Sequence, residues 1–274
     1  MPATQQDRAL RFRTLHQGPR ALLIANAWDA GSARVLAGMG FDALATSSAA
    51  SAGVLGRRDG KVTREEALAH SRAIACATDV PVSADLERGW GDRPEEVAET
   101  IRLAAQTGLV GGSIEDATGN SAQPLYGMAY AVERVAAAAE AARSLPFAFT
   151  LTARAENFLA GNPNLDDTIA RLQAFEKAGA DVLFAPGLPD LDAVRAVCAA
   201  LSKPVNFMVG IRGKSFTVAQ LEAAGVRRIS LAASLYRAAM TGLVDAAREA
   251  KEQGTFSYLD TSIAGADFNR FMAD

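Results

Sequence analysis

Two acidic runs carry the strongest chemical signal in this chain of 274 residues. Ser83-Ala84-Asp85-Leu86-Glu87-Arg88-Gly89-Trp90-Gly91-Asp92 follows the apolar lead Val80-Pro81-Val82, and Glu115-Asp116 closes the run Leu109–Ile114. Apolar leads of this length read as strands, so the carboxylates hang from strand ends, and adjacent parallel strands bring them side by side. Clustered carboxylates need protons or a cation to offset their repulsion. Oxygen donors suit a hard dication, Mg²⁺ being the simplest choice and Mn²⁺ an alternative. Arg154 ends another strand-like run, Phe147–Arg154, and its guanidinium suits a substrate carboxylate gripped by two parallel hydrogen bonds. Its alternative is a salt bridge to Glu156 or Glu115. Ser47-Ser48-Ala49 offers small side chains and consecutive N–H groups at a strand end, able to receive an anionic oxygen. Asp59 lies in the segment 49–62, which Gly53, Gly56 and Gly60 let fold over the same mouth. Asp92, two residues before Pro94, reads equally well as a helix cap.

The elements that must position these groups alternate regularly. Short apolar or β-branched runs occur at Ala21–Trp28, Ala43–Ser48, Val80–Leu86, Val110–Glu115, Phe147–Arg154, Asp181–Gly187, Pro204–Gly210 and Arg227–Ser234, separated by helical patterns. Gly38-Met39-Gly40, Thr107-Gly108, Ala178-Gly179-Ala180 and Ala224-Gly225 stop the intervening helices. Eight such units predict an α/β fold, a single (β/α)8 TIM-type barrel occupying residues 1–274, with its core over about 20–252 and its chemistry at the carboxyl ends of the strands. A helix over Gln6–His16 is expected to cover the bottom, and Leu235–Glu252 to be the eighth outer helix. The tail 253–274 is too apolar for a frayed terminus and is expected to pack on something, such as a second subunit. His16 and His70 fall on helices away from the mouth.

Composition excludes several function classes. Twenty-eight basic residues against 31 acidic ones give a net charge of −3, with no basic block to follow a phosphate backbone, so nucleic acid is not expected as a partner. The N-terminus lacks signal-peptide design and no apolar run approaches a membrane span, which predicts a cytoplasmic protein without a membrane partner. Cys76 and Cys198 suggest neither a disulfide nor a zinc site and read as small buried residues.

In order and spacing, these motifs resemble the phosphoenolpyruvate mutase and isocitrate lyase superfamily over roughly residues 20 to 240. Asn26–Ala33 is similar to its first strand and turn, and Gly56-Arg57-Arg58-Asp59 to its Gly-x-Arg-Asp loop. Asp85–Asp92 resembles its Asp-x-Asp-x-Gly-Tyr-Gly signature, with Glu87 for the second Asp and Trp90 for Tyr. Ile114-Glu115-Asp116 matches its Ile-Glu-Asp, and Ala153-Arg154 its Ala-Arg strand end. The resemblance implies Mg²⁺ bound by Asp85 directly, with Asp59, Glu87 and Glu115 reaching it directly or through water. It also implies a 2-oxo or 2-hydroxy acid whose carboxylate is held by Arg154 and by amides near Ser47 and Ser48. The shared chemistry is formation or use of a pyruvate-type enolate, and a swapped last helix in a homodimer or homotetramer.

Departures narrow the reading. The Lys-x-Cys-Gly-His loop of the isocitrate-type lyases is replaced by Ala117–Leu125, which holds neither Cys nor His. The Lys that follows Glu-Asp in the mutase is here Ala117. Phe184-Ala185-Pro186-Gly187 and Phe207-Met208-Val209-Gly210 suggest an apolar pocket. Asp59, Arg154 and Tyr126 are the catalytic candidates, Tyr126 as the proton donor, with Lys214 as a second donor. The expectation is a Mg²⁺-dependent lyase or decarboxylase that cleaves a C–C bond. Its alternatives are a P–C bond enzyme acting on phosphonopyruvate, drawing its extra cation from Arg57, Arg58, Arg88, Arg212 or Lys214, and a non-catalytic metabolite-binding barrel.

Overall fold

The computed structural model describes residues 3–272, so the first two residues of the N-terminal segment and the last two of the tail lie outside it. Eight parallel strands close a barrel in sequence order: β1 (Leu22–Asn26), β2 (Leu44–Ala45), β3 (Val82–Asp85), β4 (Gly111–Glu115), β5 (Thr150–Arg154), β6 (Val182–Phe184), β7 (Val205–Met208) and β8 (Arg228–Ser230). Closure is made by Leu22 pairing with Arg228. Helix α1 (Gln5–Leu15) precedes the barrel; α2 (Ala30–Gly38), α3 (Ser48–Val54), α4 (Arg64–Cys76), α5 (Pro94–Ala105), α6 (Met128–Arg143), α7 (Leu165–Ala178), α8 (Leu191–Ala199) and α9 (Val218–Ala223) connect the strands. α10 (Ser234–Arg248) follows β8, and α11 (Gly265–Asn269) lies in the tail.

The boundaries have local causes. Thr4, Asp29, Thr63 and Thr217 cap α1, α2, α4 and α9, each accepting a hydrogen bond from the third helical residue, which caps them in return. Gly40, Gly108, Gly179 and Gly225 all adopt positive φ, the left-handed geometry that turns a helix end into the next strand. α1 seals the amino-terminal end, where fully buried Phe12 packs with Leu22, Ile24, Ala43, Ala45 and Val110.

Three expectations need correction. The segment 49–62 is not all loop, because α3 occupies most of its first half, capped by Ser47. Cys76 is exposed rather than buried, since it falls on the outer face of the last turn of α4. The last long helix forms but does not cover the barrel: α10 has no buried residue and exposes Met240, Leu243 and Val244. It is anchored near its start, where Tyr236 packs edge-on to Trp28 and so close to Gly53 that a Cβ there would lie 2.5 Å from its hydroxyl. The tail leaves Phe256, Leu259, Ile263 and Phe268 exposed, while Phe271 lies against Gly38 of α2. Among the described residues no helix is long and apolar enough to cross a membrane.

Candidate active site

β3, β4 and β5 end side by side, with Asp85 paired to Ser113 and Glu115 to Arg154, so the acidic ends converge as the parallel register requires. They border a cavity of about 200 Å³ at the carboxyl end of the barrel, lined among others by Ser47, Ser48, Ala49, Asp59, Asp85 and Arg154. Larger hollows of about 400 and 850 Å³ flank α1 at the opposite end and hold no carboxylate cluster.

Arg154 is the hub. Its Nη1 donates to Asp85 at 3.0 Å, Nη2 lies 3.2 Å from Glu115, and Nε donates to Glu156 at 2.7 Å. Burial alone would lower its pKa, but Glu156, Glu115 and Asp85 outweigh that and hold the group firmly protonated. Its guanidinium also stacks 5.1 Å over the Phe184 ring. The salt bridges weighed against substrate binding therefore form. Asp85 is fixed from the other side as well, accepting from the Ser48 N–H at 3.3 Å and the Glu87 N–H at 3.2 Å, while its own N–H donates to the Thr46 hydroxyl.

Negative charge exceeds positive around this hub. Glu87 is pushed up to about 7, first by burial and then by Asp85 and Asp59. Glu115 is pushed up by burial and by Glu156, Asp85 and Glu87, against the pull of Arg154. Asp59 is exposed at the rim and caps no helix, its Oδ1 accepting from the Gly60 N–H at 3.0 Å. Glu87 (φ +46) and Trp90 (φ +54) are held in the left-handed region, a strained turn of the kind found at binding sites. Gly91 is needed there, because a Cβ would come within 2.5 Å of the Glu96 side chain. Among the described residues no three His, Cys, Asp or Glu side chains converge tightly enough to cage a metal by themselves. The donors are nevertheless all oxygens, crowded and short of positive charge, which fits a hard dication that keeps several waters and takes only one or two protein ligands.

Other predicted residues lie elsewhere. Asp116 turns into the wall, accepting from the Glu156 N–H and from Arg171, and burial raises its pKa to about 6. Tyr126 does not line the cavity; its hydroxyl donates to Asp92 and its ring lies under Arg134, 4.3 Å from the centroid. Burial and the Asp92 bond raise it to about 12. Asp92 caps no helix, its place at the start of α5 being taken by Arg93. Lys214 reaches the Gly187 carbonyl at 3.3 Å, outside the cavity lining. The segment Ala117–Leu125 is a tight hairpin closed by a bridge between its ends.

Sequence reasoning missed several contributors. Glu156, noted only as a strand-end group or salt-bridge partner, orients Arg154. His70 is not remote: its ring bonds to the Trp28 carbonyl at 2.6 Å and borders a recess with room for about one water behind Asp85 and Glu87. The spacing of Ala67, His70, Ser71 and Ile74, one face of a helix, was the available signal. Arg134, fully buried on α6, donates to the carbonyls of Arg88, Gly91 and Asp92 and so clamps the acidic turn. The pocket is also less apolar than expected, since Thr152, Asn206, Arg228 and Ser230 line it below Phe184 and Met208.

A closed eight-stranded barrel with an arginine-centred carboxylate cluster at its mouth defines the class: an α/β-barrel of the kind that binds small acids at its strand ends. The profile of the phosphoenolpyruvate phosphomutase family matches residues 12–251, and the chain belongs to that family. It is similar to an oxaloacetate decarboxylase of Bradyrhizobium sp. strain BTAi1, 32% identical over 201 residues, 71% of this chain and 68% of that protein. A crystal structure from Burkholderia cenocepacia J2315, provisionally assigned as a lyase/mutase, is 51% identical with a TM-score of 0.96, covering 98% of this chain and 97% of the other. The crystal structure of a 2,3-dimethylmalate lyase is 26% identical with a TM-score of 0.86, covering 98% and 95%.

Proposed function

We propose that this protein is a Mg²⁺-dependent carbon–carbon lyase that cleaves a small 2-oxo or 2-hydroxy carboxylic acid to give a pyruvate-type enolate. The observation that carries the reading is the Arg154 hub, one guanidinium tied to Asp85, Glu115 and Glu156 in a mouth that has more carboxylates than it can neutralise. Mg²⁺, with Mn²⁺ as a substitute, would be held by Asp85 directly and by Asp59, Glu87 and Glu115 directly or through water. When bound, the ion supplies Lewis acidity that stabilises the enolate oxyanion.

The protein's own groups bind and orient. Glu156 fixes Nε of Arg154, so the two terminal nitrogens are the ones free to exchange a protein carboxylate for that of the substrate. Ser47, Ser48 and Ala49 line the facing wall, and Leu159, Phe184 and Met208 exclude water from the reacting carbon. Asp59, exposed at the rim, is the catalytic candidate best placed to meet solvent. Tyr126 has no part in this proposal, its hydroxyl being committed to Asp92. The relatives named above, an oxaloacetate decarboxylase and a 2,3-dimethylmalate lyase, support the substrate class. The P–C reading is less favoured, because the named relatives act on oxaloacetate and 2,3-dimethylmalate, and the cations it was expected to use, Arg57, Arg58, Arg88, Arg212 and Lys214, all stay outside the cavity lining.

The exposed apolar face of α10 and the open hollow around Leu10, Leu22, Leu23, Met39 and Phe41 support a homodimer or homotetramer that exchanges this helix. We place the enzyme, organised as one domain, in the cytoplasm. The test is pyruvate release from oxaloacetate and substituted malates with Mg²⁺ and with EDTA. Metal-dependent release supports the lyase, and release from phosphonopyruvate alone would move the assignment to P–C cleavage.

A further inference from the structure

The cavity continues below the carboxylate cluster into the barrel interior, where Arg228 at the start of β8 crosses to β5. Its Nη1 donates to the Thr152 hydroxyl at 3.0 Å. Thr152 precedes Arg154 by two residues on the same strand, so this contact lies about 7 Å beneath the hub. Arg228 is 5% exposed, its Nε has no hydrogen-bond partner, and among the described residues no carboxylate lies within ion-pair distance. Asn206 beside it on β7, 2% exposed, donates to Ser230 but leaves its Oδ1 unpartnered. From below, Arg228 lies over the Phe12 ring at 5.9 Å, close enough to the buried His16 for its charge to disfavour a proton there. Every other buried arginine has its charge answered: Arg154 and Arg171 by carboxylates, Arg134 by carbonyls.

A buried cation without a counterion is costly unless something answers it. Burial lowers Arg228 to about 10, which leaves it charged at neutral pH. We propose that Arg228, backed by Thr152, Asn206 and Ser230, is the subsite for a second, distal carboxylate, so that the substrate is a diacid lying along the barrel axis with its 2-oxo or 2-hydroxy end at the Asp85–Arg154 cluster. This rests on the lyase reading and adds the substrate's second functional group to it. The signs of the two ends set the orientation, since the upper end carries the carboxylates that would hold a metal and the lower end a lone guanidinium.

Calorimetric titration of the Mg²⁺-loaded protein with oxalate, pyruvate, malate and 2-oxoglutarate separates the two ends, because oxalate and pyruvate fill only the upper one. Malate or 2-oxoglutarate is expected to bind about 10- to 100-fold more tightly than pyruvate, the range of a charge-assisted hydrogen bond. Arg228→Met should abolish that advantage and leave oxalate affinity unchanged. Arg228→Lys, which keeps the charge and guards against misfolding of the first variant, should retain part of it. Equal weakening of oxalate and malate, or an advantage that survives Arg228→Met, would overturn the subsite while leaving the lyase reading in place. Absence of oxalate binding by the wild type would overturn both. Tighter Arg228-dependent binding of phosphonopyruvate than of malate would overturn the carboxylate assignment.

Discussion

Asp85 and Arg154 meet at 3.0 Å because their strands differ in sequence position but end at the same level, and their mutual fixation makes each sensitive to loss of the other. Asp85→Ala should lower turnover by about 100-fold or more, the scale seen when a group stabilising transition-state charge is removed. It should also abolish any rise in melting temperature on adding Mg²⁺, measured by thermal shift in both proteins. His16 offers a separate check at the floor. Burial, then the nearby Arg228, lowers its pKa to about 4, below the ordinary 6.5. A buried neutral histidine of this kind contributes stability that is complete above about pH 6.5 and is lost as pH falls toward 4, an effect of roughly 3 kcal/mol. Asp116, raised to about 6, acts in the opposite direction over an overlapping window. The effect is therefore read as the difference between wild type and His16→Leu in urea unfolding at pH 7.5 and pH 4.5. The convergence of Asp85, Glu115 and Arg154 was legible because acids and a basic residue at the ends of adjacent parallel strands must meet. The direction of each side chain was not: Glu115 and Asp116 are neighbours, yet one meets Arg154 and the other Arg171.

The turn after β3 shows how an element is shaped to present these groups. Glu87, Gly89 and Trp90 all take positive φ, and Arg134 of α6 binds three carbonyls of the same turn. Arg134→Met should leave those carbonyls unpaired, cost roughly 3 kcal/mol in urea unfolding, and reduce activity through Asp85 and Glu87 without any contact to substrate. Helix stops were readable because a left-handed residue after a helix favours glycine, as Gly40, Gly108, Gly179 and Gly225 show. α3 was missed because Ser48–Val54 is short, and its small residues and glycine carry little helical periodicity. Arg228 was overlooked because Arg227–Ser234 was read as one apolar or β-branched run, whereas alternation in a strand sends Arg228 and Ser230 to the cavity and Ile229 to the other face.

At the scale of the whole molecule, eight units announced the barrel, since each helix buries one apolar face against the sheet and the sheet closes only when every unit is present. The last helix was the exception. Its amphipathic pattern reads the same whether it covers its own barrel or another copy, and in the structure no residue of α10 is fully buried. Leu243→Glu together with Val244→Glu should leave the monomer folded but lower the mass observed by light scattering, if that face joins subunits. An unchanged mass would place the interface elsewhere. The most direct test of the function is pyruvate release by the purified protein from oxaloacetate and substituted malates, with Mg²⁺ and with EDTA. Turnover that requires the metal and disappears in Asp85→Ala is the predicted result. Turnover that persists in EDTA, or in Asp85→Ala with Mg²⁺ present, would contradict it.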